Sequence, residues 1–126
     1  MKLRLESNSV RLRLKKSDLQ MLREKNSIDE TVFFPGGYFT YKLSTSNDEK
    51  EVTTRMDSQF IEIIIPSGEA TLWMDNDETG IYHTVTFDNH SLDIIIEKDF
   101  PCKDKNAEEN KDTFIELSQK NHINQC

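Results

Sequence analysis

Apolar and polar residues alternate in four pairs of short segments, and a small turn separates the members of each pair. Alternation at every second residue is typical of a β-strand with one buried face, and two such strands around a turn predict an antiparallel hairpin. Short helices are expected to begin at Ser17 and Ser67, after the first and third hairpins, because a serine side chain can satisfy a free N–H at a helix start. The predicted hairpins span residues 2–15, 28–44, 51–65 and 80–98.

The chain therefore repeats one order twice: hairpin, helix, hairpin. Residues 28–44 align with residues 81–97 without a gap, and every predicted core position keeps its parity, which matters because a slip of one residue reverses the faces of a strand. Upstream, alignment of the two cap serines places Leu12 opposite Glu62, so the strands before the helices do not share a register. The sequence leaves both an internal duplication and a chance similarity of short strands open.

We predict an α+β fold in which about eight strands form an antiparallel sheet, strongly curved or barrel-like, with two short helices against it. The chain has 126 residues, the size of one domain. We expect residues 1–102 to form this domain. Residues 103–126 are expected to be a polar, partly disordered tail with a short helix that holds Phe114 and Leu117.

Charge and composition narrow the functional classes. Charged residues make up 31% of the chain and the net charge is −7, which disfavours nucleic acid or an acidic membrane surface as a partner. Residues 1–25 contain eight Lys or Arg and three acids, a balance of +5, whereas the rest has eight bases and twenty acids, a balance of −12. Only the first hairpin and helix offer a cationic face. With no apolar leader and no apolar stretch of bilayer length, we expect a cytoplasmic protein outside the membrane.

The cationic face supplies the candidate anion-binding residues. Arginine binds phosphate through two parallel hydrogen bonds, and lysine binds it as a point charge. The alternative to anion binding is that acidic residues on strands of similar pattern, such as Glu62 and Glu97, form cross-strand ion pairs with these residues and neutralise their charge. The candidates are Arg4, Arg11, Arg13, Lys42 and Arg55.

The candidate metal ligands lie near the end of the chain. Cys102, His122 and Cys126 would supply thiolate and imidazole ligands to Zn²⁺, with a fourth donor such as His83 or His90. Their spacing is not that of a structural zinc site, and a single cysteine such as Cys102 is typical of a small buried residue. The sequence contains no glycine-rich phosphate loop, nucleophile elbow or paired zinc motif, so we predict no cofactor and lean away from an enzyme.

Several short segments resemble a known group of proteins. They are the strand Val10-Arg11-Leu12-Arg13-Leu14, the helix start at Ser17, the pair Thr40-Tyr41, and residues 97–102, Glu-Lys-Asp-Phe-Pro-Cys. With them the sequence resembles an uncharacterised family of small bacterial proteins that begin with an Arg-Leu-Arg-Leu strand and end their folded part with Glu-Lys-Asp-Phe-x-Cys. The likeness covers most of residues 1–102 and implies no known activity, substrate or cofactor.

Two functional hypotheses follow. The first is a non-catalytic binding or interaction module of the bacterial cytoplasm, because catalytic motifs are missing. The alternative is a phosphate- or nucleotide-binding protein or hydrolase shaped like the triphosphate tunnel proteins, with the cationic residues lining a closed barrel and Glu6, Glu62 and Glu97 holding a divalent cation. The Glu-x-Glu-x-Lys strand of those enzymes is absent, which favours the first hypothesis. The partner is unknown; the sequence allows a homo-oligomer or a small anionic ligand.

Overall fold

The computed structural model describes residues 1–100 and 111–117. Within them the chain forms eight strands, two helices and a helical turn at residues 115–117. The four predicted hairpins are all present. The strands are β1 (Lys2–Glu6), β2 (Ser9–Leu14), β3 (Ser27–Phe34), β4 (Gly37–Ser46), β5 (Thr53–Asp57), β6 (Phe60–Pro66), β7 (Gly80–Phe87) and β8 (His90–Lys98), and the helices are α1 (Lys16–Lys25) and α2 (Ser67–Asp75).

The strands form two separate four-stranded sheets. Sheet A has the order β1-β2-β8-β7 and sheet B has the order β3-β4-β6-β5. In each sheet two hairpins meet through a parallel pair, β2 with β8 and β4 with β6. The α+β class and the eight strands are confirmed, but the single antiparallel, strongly curved or closed sheet is wrong. Alternation and turns encode each hairpin locally, whereas the neighbour of each hairpin depends on contacts far apart in the sequence.

The two halves of the chain are interleaved in these sheets. Each half gives its first hairpin to one sheet and its second hairpin to the other. Arg4 faces Arg11 in the first hairpin, as Arg55 faces Glu62 in the third. The shift that aligns these two pairs also aligns the start of α1 with the start of α2. This shift along the chain is one residue longer than the shift that aligns Ser17 with Ser67. With the longer shift, the strands before the two helices share a register, and Leu12 no longer falls opposite Glu62.

Helix α1 begins earlier than predicted because a different residue caps it. Its first residue is Lys16, and the predicted cap Ser17 already lies inside the helix. The amide of Lys15 donates a hydrogen bond to Asp18 Oδ2 at 2.9 Å, which satisfies a free N–H at the helix start. Asp18 Oδ2 also lies 2.9 Å from the amino group of Met1. These contacts fix the start of α1 beside the start of β1.

One cluster of buried apolar residues joins both sheets and both helices. Leu22 of α1 and Trp73 of α2 belong to it together with alternate residues of the central strands. Each such side chain stabilises the fold by about 1.5–3 kcal/mol when it is fully buried. The residues between them face the opposite side of each sheet. The apolar residues of the central strands that are at most 1% exposed are Val10, Leu12, Leu14, Leu43, Ile63, Ile65, Ile94 and Ile96.

The described part of the predicted tail packs against the rest of the fold. The amide of Phe114 donates to the carbonyl of Asp99 at 2.7 Å, and the amide of Lys16 donates to the carbonyl of Asp112 at 3.0 Å. Leu117 is buried. The domain limit at residue 102 stays a prediction, but residues 111–117 contact both β8 and α1.

Candidate functional site at the hairpin end

All four hairpin turns lie at one end of the molecule. Because β2 and β8 run parallel, the turns that precede them share one edge of sheet A, where Asn8 Nδ2 donates to the carbonyl of Ser91 at 2.6 Å. The turns of sheet B are related in the same way, and the amide of Thr40 donates to the carbonyl of Gln59 at 2.9 Å. Helices α1 and α2 follow the opposite ends of β2 and β6. We call the end of the molecule that carries the four hairpin turns the hairpin end, and the opposite end, where the two helices begin, the helix end.

Two hairpins project at the hairpin end. The parallel pairing of β8 with β2 begins at Asp93, and that of β4 with β6 begins at Thr40. The projecting parts are residues 85–92 of the β7–β8 hairpin and residues 32–39 of the β3–β4 hairpin, which we call the two arms. Along each arm, the inner strand has no parallel neighbour among the described strands. Its inward-facing side chains are therefore less covered than those nearer the helix end.

An apolar cleft of about 790 Å³ opens between the two sheets at the hairpin end. We call this cleft the hairpin-end trough. Its volume lies within the range of roughly 300–1,000 Å³ that is typical of ligand-binding clefts. The apolar residues that line it include Leu5, Val10, Val85 and Phe87 from sheet A and Met56 and Ile61 from sheet B.

Several trough residues face the same side of their sheets as the core but remain exposed. Leu5 is 62% exposed, Met56 is 77% exposed and Phe87 is 47% exposed. By contrast, Leu12 and Ile63, nearer the helix end on the same faces, are 1% exposed. Large apolar side chains exposed together around a cleft mark an interaction surface.

The β3–β4 arm adds exposed aromatic residues to the same end. Phe33 is 80% exposed, and its ring lies 6.4 Å from that of Tyr38. Val32 and Phe34, on the opposite face of β3, are also exposed. The equivalent positions of the β7–β8 arm line the trough, so both arms present apolar side chains at the hairpin end.

The rim of the trough is acidic. Its turns carry three exposed acids, Glu6, Asp57 and Asp88. Asp57 Oδ1 accepts a hydrogen bond from the amide of Gln59 at 3.0 Å, and Asp88 has a φ of 45°, so both belong to tight turns. The segments that form this end, residues 5–10, 32–39, 56–61 and 85–92, contain no Lys or Arg. The carboxylates are therefore the charged groups that these segments contribute around the apolar floor, and the segments also contain one histidine, His90.

Three of the predicted anion-binding residues share the outer face of sheet A. Arg11 Nε and Arg13 Nε lie 3.3 Å and 3.5 Å from Glu97 Oε1, and Arg4 faces Arg11 across the hairpin. The guanidinium of Arg13 lies 4.8 Å from the ring centroid of Phe100. One buried carboxylate thus positions two guanidinium groups and offsets part of their charge.

Tyr82 joins this group from β7. Its hydroxyl donates to Glu97 Oε2 at 3.2 Å. Burial raises the pKa of Tyr82 above its usual value, and the negative charge of Glu97 acts in the same direction, so Tyr82 is a neutral donor at pH 7. The predicted β7–β8 hairpin already brings Tyr82 near Glu97, but Tyr82 was not singled out from the sequence, because only the order of strands in sheet A adds Arg11 and Arg13 to this pair.

The other two predicted residues, Lys42 and Arg55, lie on sheet B. Arg55 Nη2 is 3.2 Å from Glu62 Oε1, and the hydroxyl of Ser44 donates to Glu62 Oε2 at 2.5 Å. Lys42 is the strand partner of Glu62 between β4 and β6. The five residues therefore form two groups on different sheets, and each group includes one buried carboxylate. Anion binding by either group stays a prediction.

The described part of the chain forms no charged tunnel. Such a tunnel needs a closed barrel with its cationic residues inside, but the two sheets are separate and their inward-facing residues are apolar. Arg11, Glu62 and Glu97 occupy the alternate positions that face away from the core. The structural basis of the triphosphate tunnel hypothesis is therefore wrong.

The predicted metal ligands Cys102, His122 and Cys126 lie outside the described residues. Zinc binding by this set stays a prediction. In residues 1–100 and 111–117, no group of three or more His, Cys, Asp or Glu side chains is placed to hold a metal ion.

A buried lysine lies at the helix end. Lys98 Nζ donates to the carbonyl of Asn76 at 2.5 Å and lies 5.7 Å and 5.8 Å from the ring centroids of Trp73 and Phe114. Burial lowers the pKa of Lys98 below its usual value, because the charged form is desolvated. The carbonyl and the rings stabilise the ammonium group. Lys98 therefore joins β8, α2 and residues 111–117.

The trough was missed by the sequence analysis. The sequence signal of the hairpin end is a large apolar residue of core parity that is separated from a turn by at most one residue: Leu5, Phe34, Met56 and Phe87. Each is ordinary by itself, because strands often end in an apolar residue. Only the arrangement of the two sheets shows that all four lie at the same end.

The fold and the trough define an α+β domain of two mixed four-stranded sheets with an open apolar end. The chain belongs to a family of unknown function, DUF7009, whose model matches residues 1–117. This confirms the predicted membership of an uncharacterised family. The comparisons with curated proteins and with solved structures found no match. Among the described residues, neither helix has the length and apolar character needed to cross a bilayer.

Proposed function

We propose that this protein is a non-catalytic interaction module that binds the apolar side of a partner in the hairpin-end trough. The observation that carries this proposal is the exposure of inward-facing side chains, Leu5, Met56 and Phe87, around a cleft of about 790 Å³. Covering such side chains stabilises a complex by about 25 cal/mol for each Å² of apolar surface removed from water.

The structure of the trough favours a binding function over a catalytic one. Its walls are hydrogen-bonded hairpins of both sheets, so little order has to be gained when a partner binds. Among the residues that line it, Glu6 is the one titratable side chain. A catalytic cleft instead combines several titratable groups with shifted pKa values.

The proposal keeps two expectations from the sequence. One is a cytoplasmic location in a bacterium. The other is an internal duplication, which is supported by the equivalent registers of the two halves and by the arm that each half contributes to the hairpin end.

Titration with the neutral, solvent-sensitive dye Nile red tests the proposal. We expect the folded protein to enhance the fluorescence of the dye, and Leu5→Glu or Met56→Glu to weaken dye binding roughly tenfold, because each places a charge in the apolar cleft. Leu72→Glu is the matched control, since Leu72 is an equally exposed apolar residue of α2 at the helix end.

The measurement separates the trough from exposed apolar surface in general. Circular dichroism and thermal melts establish that each variant is folded before the dye is added. Absence of dye binding, or equal loss of binding in Leu72→Glu and in the trough variants, contradicts the proposal.

A further inference from the structure

The charge of the rim indicates the chemistry of the partner. We infer that the trough binds a basic amphipathic helix of another protein, with the apolar side of the helix on Met56 and Phe87 and its Lys or Arg residues at Glu6, Asp57 and Asp88. This inference rests on the proposed function and adds to it the class of partner.

Charge complementarity is the first argument. The four segments of the hairpin end carry three acids and no Lys or Arg. An apolar partner that covers the trough removes water from around these carboxylates, and this desolvation is unfavourable unless the partner supplies positive charge. The net charge of −7 also attracts a basic partner at long range.

The same rim argues against two other occupants. A second copy of this chain would bring two acidic rims together, because its hairpin end carries the same three carboxylates. An anionic lipid or a fatty acid would place its headgroup beside Glu6, Asp57 or Asp88. Like charges in contact oppose both complexes.

The shape of the trough favours a helix over an added strand. The trough is lined by side chains from the faces of two sheets, whereas an added strand pairs with the backbone of a sheet edge. An amphipathic helix presents apolar side chains at every third or fourth position, and these side chains can fill a cleft between two faces.

The experiment uses two matched synthetic peptides of about 18 residues, long enough to form a helix on binding. One has leucine on one face and lysine on the other, and the second has glutamate in place of every lysine. Fluorescence anisotropy at low and high salt measures binding of each labelled peptide to the full chain. We expect the lysine peptide to bind roughly tenfold or more tightly than the glutamate peptide at low salt, and this difference to shrink at high salt.

A charge-neutral rim provides the decisive variant. We expect the triple variant Glu6→Gln, Asp57→Asn, Asp88→Asn to bind the lysine peptide roughly tenfold more weakly than the natural chain does. Asparagine keeps the turns, because it can still accept the amide of Gln59 and tolerates the positive φ at residue 88. The matched control, Asp48→Asn, Glu51→Gln, Glu69→Gln, changes the net charge equally at exposed positions outside the hairpin-end segments.

Three outcomes overturn the inference. Equal binding of the two peptides, or equal weakening by the two triple variants, shows that the rim does not select the partner. A dimer in light scattering that Leu5→Glu dissociates identifies a second copy as the occupant. If Nile red still binds the trough in these cases, the proposed interaction module stands but its partner is not a basic helix. If Nile red does not bind the trough, both the proposed function and the inference about the partner are wrong.

Discussion

The helix end and the hairpin end of this protein are built from the same strand pattern but differ in what covers them. At the helix end, inward-facing residues such as Leu14 and Ile65 are fully buried in the cluster that includes both helices. At the hairpin end, Met56 and Phe87 have the same parity but are 77% and 47% exposed. Alternation therefore determines the direction in which a side chain points, and the packing of other elements determines whether it is buried.

The largest difference between the two ends is expected in stability. Replacing Ile65 with alanine removes buried methylene groups and leaves a cavity, which costs about 2–5 kcal/mol. Met56→Ala, on the neighbouring strand at the hairpin end, is expected to change the free energy of unfolding by less than about 0.5 kcal/mol. Urea unfolding measures both values, and similar values for the two variants would contradict the contrast between the ends.

A second test concerns the outer face of sheet A near the helix end. Glu97→Ala removes the buried carboxylate between Arg11 and Arg13, and the loss of these two ion pairs and of the hydrogen bond from Tyr82 costs about 2 kcal/mol. Arg55→Ala is the comparison, because this arginine of sheet B is 69% exposed, so solvent screens its pair with Glu62, which is worth at most about 1 kcal/mol. If thermal and urea unfolding give a larger loss for Arg55→Ala, the group around Glu97 does not stabilise the fold.

A third test uses pH. The Tyr41 hydroxyl lies 3.0 Å from the carbonyl oxygen of Met1 and 2.5 Å from Glu30 Oε2. Burial and the Glu30 carboxylate raise the pKa of Tyr41 well above its usual value. A raised pKa stabilises the fold fully below about pH 10, where the unfolded tyrosine is neutral, and this contribution falls by about 1.4 kcal/mol per pH unit above that value.

Tyr41→Phe should therefore remove part of the loss of stability between pH 9 and pH 11, as measured by urea unfolding at steps of pH. Tyr82→Phe is expected to change the same slope less, because Tyr82 is 61% exposed and solvent screens its interaction with Glu97. An unchanged slope in Tyr41→Phe would show that this hydroxyl is not buried in solution.

The smallest effect is expected at the β3–β4 arm. Phe33→Ser replaces an almost fully exposed ring and should alter the free energy of unfolding by less than about 0.5 kcal/mol. Thermal unfolding at two protein concentrations measures this effect. A decrease of more than about 1 kcal/mol, or one that depends on concentration, would mean that another chain covers the arm in solution.

The local structure could be predicted from the sequence, but the long-range pairing could not. Val10, Leu12 and Leu14 predict a strand with one apolar face wherever that strand lies in a sheet. Nothing in their pattern specifies Ile94 and Ile96 as parallel neighbours, because apolar strands of the same parity are interchangeable at this level.

The candidate site shows the same limit. The charged residues were found from the sequence because their chemistry is visible in their type, and the ion pairs of Glu62 and Glu97 were anticipated as the alternative to anion binding. The division of these charged residues between two sheets was not predicted from the sequence, because it depends on the strand order. The trough was missed because exposure is a property of the assembled sheets, and Leu5 or Phe87 resembles a core residue in the sequence.

The interleaving of the two halves makes the chain indivisible. Cutting it between β4 and β5 would leave β2 without β8 and β4 without β6, so each fragment would consist of two isolated hairpins and one helix. An isolated hairpin is marginally stable in water. During synthesis, sheet A cannot be completed until β8 has been made, because β2 pairs with β8. Pairing between strands that are far apart in the sequence slows folding. The domain therefore becomes stable only after β8 has been made.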